Sequence, residues 1–247
     1  MIDIHSHILP GVDDGAEALA DTVAMIRELA MAGVTDIVAT PHYIFETSYA
    51  MPAKTNEEIL AIVRKAVERT GVRVNLYLGN EIYIDKRILR LLELAAVKPL
   101  AESRYLLIEL PMNGKFEGAE DIFKELMEKG YKVILAHPER YAKFQKDFAG
   151  LEKLHEMGIL FQCNIGSILG QYGKKVEKLV RRLAKQKWIF AFGSDIHHPS
   201  RAEYLERLEA RKARTFLEVA KERLLNYYSE MELEQVLVEN PREILKK

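Results

Sequence analysis

Two histidines one residue apart, His5-Ser6-His7, follow the apolar run Met1-Ile2-Asp3-Ile4. A strand alternates its faces with period two, so both imidazoles point to one side, as a metal ion requires. Three more histidines and three carboxylates stand at the ends of later strand-like runs. They are His42 in Thr40-Pro41-His42, Glu81 in Gly79-Asn80-Glu81, Glu109 after Leu107-Ile108, His137 before Pro138, and Asp195 and His197 in Ser194-Asp195-Ile196-His197. Eight donors exceed what one tetrahedral zinc takes, so two or three divalent ions with bridging carboxylates is the economical reading. Imidazole and carboxylate without thiolate suit Mn, Fe or Zn. Glu81 and Glu109, each at the end of a buried run, need a cation or hydrogen bonds to offset desolvation. Clustered divalent ions lower the pKa of water towards ~7 and neutralise phosphate oxygens, which makes phosphoester hydrolysis the expected chemistry.

Arg140, in His137-Pro138-Glu139-Arg140, and Arg201, shortly after His197, are the candidate phosphate contacts, because a guanidinium fork matches two phosphoryl oxygens. In the loop Gly11-Val12-Asp13-Asp14-Gly15 one acid is placed to protonate a leaving oxygen, although Asp-Gly is also a common turn. Loop aromatics Tyr43, Phe45, Tyr49, Phe116, Tyr141 and Phe144 offer surface for a phenolic group or for packing on the rim. The other histidines read as ordinary: His155 lies inside a helix, and His198 faces away from His197. A cysteine-nucleophile phosphatase needs an arginine six residues after its cysteine, and position 169 is Leu; Cys163 reads as inert core. Gly-x-x-x-x-Gly-Lys-Ser/Thr and Gly-x-Ser-x-Gly motifs do not occur.

Seven strand-like runs must carry these residues: 2–4, 36–39, 74–78, 105–109, 132–136, 160–164 and 189–192. Helical periodicity fills the gaps at 17–32, 56–70, 85–95, 119–129, 151–157 and 172–186, and continues over 200–225 and 230–245. Such alternation in 247 residues predicts parallel strands in an α/β fold, a (β/α) barrel whose active site lies at the carboxyl ends of its strands. A single domain, 1–247, is expected, with the helices from about 200 packing on the barrel or forming an association surface. Net charge is −1, from 36 basic and 37 acidic residues, which gives no reason to expect nucleic acid. The N-terminus lacks a signal-peptide pattern and no apolar run approaches membrane-spanning length, so a cytoplasmic protein without membrane insertion is expected. Residues 174–187 carry seven cations against Glu177, a solvated face or a docking surface for an acidic partner.

The string Met-Ile-Asp-Ile-His-Ser-His-Ile-Leu-Pro-Gly-Val-Asp-Asp-Gly-Ala, with Thr40-Pro41-His42, Gly79-Asn80-Glu81, His137-Pro138-Glu139-Arg140 and Gly193-Ser194-Asp195-Ile196-His197, resembles the polymerase-and-histidinol-phosphatase (PHP) superfamily. More narrowly, it is similar to the bacterial manganese-dependent protein tyrosine phosphatases of capsule and exopolysaccharide loci. The resemblance implies a distorted seven-stranded barrel and a trinuclear, usually manganese, site built from His5, His7, His42, Glu81, Glu109, His137, Asp195 and His197. It also implies phosphate contacts from Arg140 and Arg201, with Asp14 beside the substrate. The implied substrate is phosphotyrosine on the tail of a membrane-anchored bacterial tyrosine kinase. A small-molecule phosphatase of the histidinol-phosphate kind and a non-catalytic docking module are the competing readings.

Overall fold

Parallel strands form the barrel wall in a computed structural model that describes residues 1–113 and 117–246. Among the described residues they are β1 (Ile2–Asp3), β2 (Asp36–Ala39), β3 (His42–Tyr43), β4 (Asn75–Leu78), β5 (Glu81–Tyr83), β6 (Tyr105–Glu109), β7 (Lys132–Ala136), β8 (Leu160–Asn164) and β9 (Ile189–Gly193). Each run expected from sequence is present, and β3 and β5 are additional. They continue β2 and β4 after short breaks at Thr40-Pro41 and Gly79-Asn80. Pro41 has no N–H to give a ladder. A Cβ on Gly79 would stand 2.7 Å from Leu100 Cδ2, so the chain there runs too close to its neighbour for a side chain. Asn80 stitches the break, donating from Nδ2 to the Pro41 carbonyl and accepting at Oδ1 from Lys98 N.

The breaks split the wall into a three-stranded sheet, β1-β2-β4, and a six-stranded sheet, β3-β5-β6-β7-β8-β9. They also change how His42 and Glu81 are presented: both begin the resumed strands, where they pair in register, instead of closing the earlier ones. First and last strands meet through the parallel bridge Ser6–Ile196, with Asp195 N donating to His5 O (2.9 Å) and His7 N to Ile196 O (3.0 Å).

Strand alternation sorts the core. Ile2, Val38, Leu107, Ile134 and Ala191 cluster with Leu100 and Ile244 and fill the barrel, whereas Ile37, Leu106, Ile108, Leu135 and Phe192 seat helix residues such as Met25, Leu60, Phe123 and Leu183. The stretch 200–225, read as one helix, is two, Ala202–Glu209 and Phe216–Leu224. Arg211 sits at φ 53 between them, and Thr215 starts the second with a capping box to Glu218. Leu217, Ala220, Leu224, Leu233 and Val236 are buried in the main core, and Ile244 joins the barrel interior. Among the described residues no helix is long and apolar enough to cross a membrane.

Candidate metal centre

All eight donor residues read from the sequence converge on one end of the barrel, together with Asp14. The first loop folds tightly over the centre. A Cβ on Gly15 would lie 2.1 Å from His7 O, and one on Gly193 would lie 2.8 Å from His5 Cβ, so both positions need glycine for the histidine segment to fit. His137 (φ 31) and Asp195 (φ 52) adopt left-handed backbone conformations that cost side-chain-bearing residues about 1–3 kcal/mol. The fold carries this strain to aim two candidate ligands inward.

The hydrogen bonds behind the rings determine what the front can hold. His5 Nδ1–H donates to Gln162 Oε1 (2.7 Å), and His7 Nδ1–H donates to Asp13 Oδ2 (2.7 Å). In the neutral rings both Nε2 atoms are therefore lone pairs, and they lie 3.2 Å apart. Glu81 Oε2 stands 3.2 and 3.3 Å from them, and Asp195 Oδ1 stands 3.3 and 3.4 Å away. Four lone-pair donors facing one point repel unless a positive charge sits among them. Glu81 Oε2 and Asp195 Oδ1 are also buried without a hydrogen-bond partner, a costly state that a cation would relieve.

Two further groups adjoin this one. His42 Nδ1 lies 2.9 Å from Glu81 Oε2 and 3.8 Å from Glu109 Oε2, while His137 Nε2 lies 2.9 Å from Glu81 Oε1 and 3.9 Å from Glu109 Oε1. Glu81 thus presents both oxygens to different partners, the posture of a bridging carboxylate. At the mouth, Asp14 Oδ1 stands 3.5 Å from His42 Nε2 and 3.6 Å from His197 Nε2. Ligand atoms of His7, Asp14, His42 and His197 fall within 4.8 Å of one another, as do those of His42, Glu81 and Glu109. The donor chemistry and the orphaned oxygens fit divalent cations.

Electrostatics reflect the same crowding. Burial opposes a charge on His5, yet the Glu81 and Asp195 carboxylates outweigh it and raise the ring to about 9. His7 is raised well above its ordinary value against burial, chiefly by its hydrogen bond to Asp13 and by the facing Asp195 and Glu81 carboxylates. Burial and the neighbouring Glu81 charge push Glu109 up to about 7. Burial alone would raise Glu81 and Asp195, but the surrounding imidazoles, led by His5 in both cases, hold each well down. His197 is lowered by burial and by His7.

Arg140 joins the centre: its Nη1 donates to Asp195 Oδ2 (2.6 Å), and its guanidinium lies 4.6 Å from the centroid of the Tyr172 ring. Arg201 is exposed immediately before the helix Ala202–Glu209 and makes no ion pair or side-chain hydrogen bond to the cluster among the described residues. The supporting roles of several residues escaped the sequence reading. Asp13 orients His7 and accepts from His42 N (3.0 Å). Gln162 donates from Nε2 to Asn164 Oδ1 (2.9 Å), and Asn164 donates to Asp195 Oδ2 (2.5 Å). Polar residues at alternate positions of β8, Gln162 and Asn164, were the available signal.

Of the loop aromatics, Tyr43, Tyr141 and Phe144 are buried and pack on the rim. Phe45 is covered by Arg87, and Tyr49 stacks on His42 at 6.0 Å between centroids. Phe116 lies outside the described residues. The aromatic beside Arg140 is instead Tyr172, on a cavity of about 620 Å³ lined also by Asp14, His197, Leu169 and Phe216. Cys163 is buried, and burial pushes its thiol far up, which removes it as a nucleophile.

A parallel α/β barrel with a buried histidine–carboxylate cluster at the carboxyl ends of its strands defines a metal-dependent hydrolase. The family model described as capsular polysaccharide synthesis, CpsB/CapC, matches residues 1–246, and the chain belongs to that family. Tyrosine-protein phosphatase YwqE of Bacillus subtilis (strain 168) is 33% identical over 198 residues, 80% of this chain and 78% of that protein. Tyrosine-protein phosphatase CpsB of Streptococcus pneumoniae is 28% identical over 254 residues, 99% of this chain and 98% of that protein. A solved structure from the work on YwqE and CpsB, described as unique metal-dependent tyrosine phosphatases, superposes with a TM-score of 0.86 at 30% identity, covering 99% of this chain and 94% of that one.

Proposed function

We propose that this chain is a metal-dependent protein-tyrosine phosphatase of capsular polysaccharide synthesis, and that its barrel-end cluster holds three divalent ions. The observation that carries the reading is the convergence of two imidazole lone pairs and two orphaned carboxylate oxygens on one point. His5, His7, Glu81 and Asp195 would hold one ion; Glu81, Glu109 and His137 a second; and His42 and His197 with neighbouring donors of the mouth a third. Manganese is favoured on the nitrogen and oxygen donor set together with the family resemblance, with Fe or Zn as the other candidates. Bound ions supply Lewis acidity at the centre, activating water and neutralising phosphoryl oxygens.

The chain's own groups do the rest. Arg140, fixed by Asp195 and Tyr172, binds equatorial phosphoryl oxygens and stabilises charge gathered there in the transition state. Arg201 is a second such contact once the loop following His197 meets substrate. Asp14, half-exposed at the mouth, is placed to pass a proton to the departing tyrosyl oxygen. The physiological substrate in this reading is phosphotyrosine on a membrane-anchored bacterial tyrosine kinase. Residues 1–247 act as one catalytic unit, supported by the burial of Leu217, Leu233 and Ile244 in the barrel's cores.

The test is turnover of p-nitrophenyl phosphate and a phosphotyrosine peptide by chelator-stripped protein, restored with Mn²⁺, Zn²⁺ or Mg²⁺ singly, with His5→Ala as control. Metal-dependent hydrolysis of both, lost in His5→Ala, is expected. Hydrolysis confined to small phosphate esters would move the assignment to a small-molecule phosphatase.

A further inference from the structure

Arg140 and Tyr172 stand where two grooves leave the centre. One is the cavity of about 620 Å³ already described, whose walls include the carboxylates Asp14, Glu28 and Asp195. The other, of about 560 Å³, runs past Gln145 to Lys174 and Lys175 and has no carboxylate among its described lining residues. It is bounded by the helix Lys174–Gln186, which packs against the Pro138–Arg140 turn and is anchored by buried Val176, Leu179, Val180 and Leu183. The cations of this basic stretch are not equivalent. Arg181 pairs with Glu177, Arg182 lies over the Phe148 ring, and Lys187 pairs with Glu232. Lys174 and Lys175 are exposed and have no ion-pair partner among the described residues. A groove lined by three cations, opening from the arginine assigned to the phosphate, has a field that suits negative charge.

Resting on the phosphatase reading, we infer that this groove selects substrates by taking acidic side chains that flank the phosphotyrosine. An extended peptide advances ~3.3 Å per residue, so carboxylates within a few positions of the phosphotyrosine reach along it. Lys174 and Lys175 read that flank and take no part in the chemistry. The effect is electrostatic and solvent-exposed, so it is modest per pair and weakens as the Debye length shrinks below ~8 Å in raised salt.

The experiment compares kcat and KM of the metal-loaded enzyme on a phosphotyrosine peptide flanked by Asp and Glu, the same peptide flanked by Ala, and p-nitrophenyl phosphate. Wild type is expected to favour the acidic peptide about two- to thirtyfold in kcat/KM, through KM. Lys174→Glu with Lys175→Glu should erase or invert that preference and leave p-nitrophenyl phosphate turnover unchanged. Lys178→Glu with Lys185→Glu, which changes the same helix and net charge outside the groove, should retain it. Three outcomes overturn the groove assignment while small-substrate turnover stays intact: no acidic preference in wild type, a preference that survives in the Lys174/Lys175 variant, or equal loss in the Lys178/Lys185 control. Absence of turnover of any phosphate ester by the wild type would overturn the phosphatase reading and this inference with it.

Discussion

His42 Nδ1 lies 2.9 Å from Glu81 Oε2, and the two residues are direct register partners at the start of β3 and β5. Glu81 reaches His5, His7 and His137 as well, so one buried carboxylate ties together every part of the centre. Glu81→Gln keeps the shape and removes the charge. Removing one charged member of the cluster should cost at least the about 10–100-fold that loss of a supporting partner costs in metal affinity or activity, with fewer metal ions retained. Elemental analysis beside p-nitrophenyl phosphate kinetics checks this. A fully loaded and fully active Glu81→Gln protein would exclude the bridging role.

Gln162 matters through the tautomer it imposes. Its Oε1 accepts from His5 Nδ1, and its orientation is set by Asn164, so Gln162→Leu frees His5 to place its proton on the metal-facing nitrogen. Loss of such an outer partner lowers metal affinity about 10–100-fold. Gln162→Glu retains the acceptor and should recover much of that loss. Calorimetric Mn²⁺ titration of the stripped proteins separates the two variants, and equal affinity in both would leave Gln162 a packing residue.

The candidate ligand set was legible because histidine and carboxylate are rare at the ends of apolar runs, and seven such runs with helices between them already imply a ring. Its partners were less legible. Gln162 and Asn164 look like polar interruptions of a strand until their amides are seen to span His5 and Asp195. The extra strands β3 and β5 are only two and three residues long, too short for alternation to register. Tyr172 falls at the start of a basic helical pattern, and only packing of that helix on the Pro138–Arg140 turn brings its ring to Arg140. Arg201 shows the converse. Its sequence position beside His197 suggested a phosphate contact, whereas its exposed place before a helix leaves that contact to substrate-bound loop geometry.

The two arginines should therefore differ in consequence. Arg140 is held by an ion pair to Asp195 and by the Tyr172 ring, so its geometry exists before substrate arrives. Arg140→Lys forfeits the planar fork and should lower kcat/KM about 10²–10³-fold, comparable with removing one preorganised oxyanion donor. Arg201→Ala should cost about tenfold or less, mostly in KM, since ordering that side chain offsets part of what it contributes. A larger loss at Arg201 than at Arg140 would reverse the assignment.

Asp14 is tested by leaving-group chemistry. A nitrophenolate departs without help, whereas an alkoxide needs a proton. Asp14→Asn should then lose about 10²-fold or more on an alkyl phosphate and only severalfold on p-nitrophenyl phosphate. Equal losses on both would make Asp14 a ligand of the mouth together with His42 and His197.

The metal-free protein should lose stability as pH rises, while the stabilisation added by metal grows. His5, with an ordinary value of 6.5, is raised to about 9 by Glu81 and Asp195 despite burial, so its ion pairs stabilise the folded state fully below pH 6.5. That contribution is lost as pH climbs from 6.5 through 9. Glu109, raised from 4.5 to about 7 by burial and Glu81, acts in the same direction, since the folded state keeps a proton that the unfolded chain gives up earlier. Metal binding must displace these protons, so apparent affinity should rise about tenfold per pH unit for the His5 proton up to about pH 9, and for the Glu109 proton only up to about pH 7. Thermal unfolding of stripped protein from pH 6.5 to 9 should show a falling Tm, while the increment given by saturating Mn²⁺ grows over the same range. A stripped protein that gained stability with rising pH would show that the charges around His5 are arranged otherwise, and that the centre does not depend on a positive charge to fold.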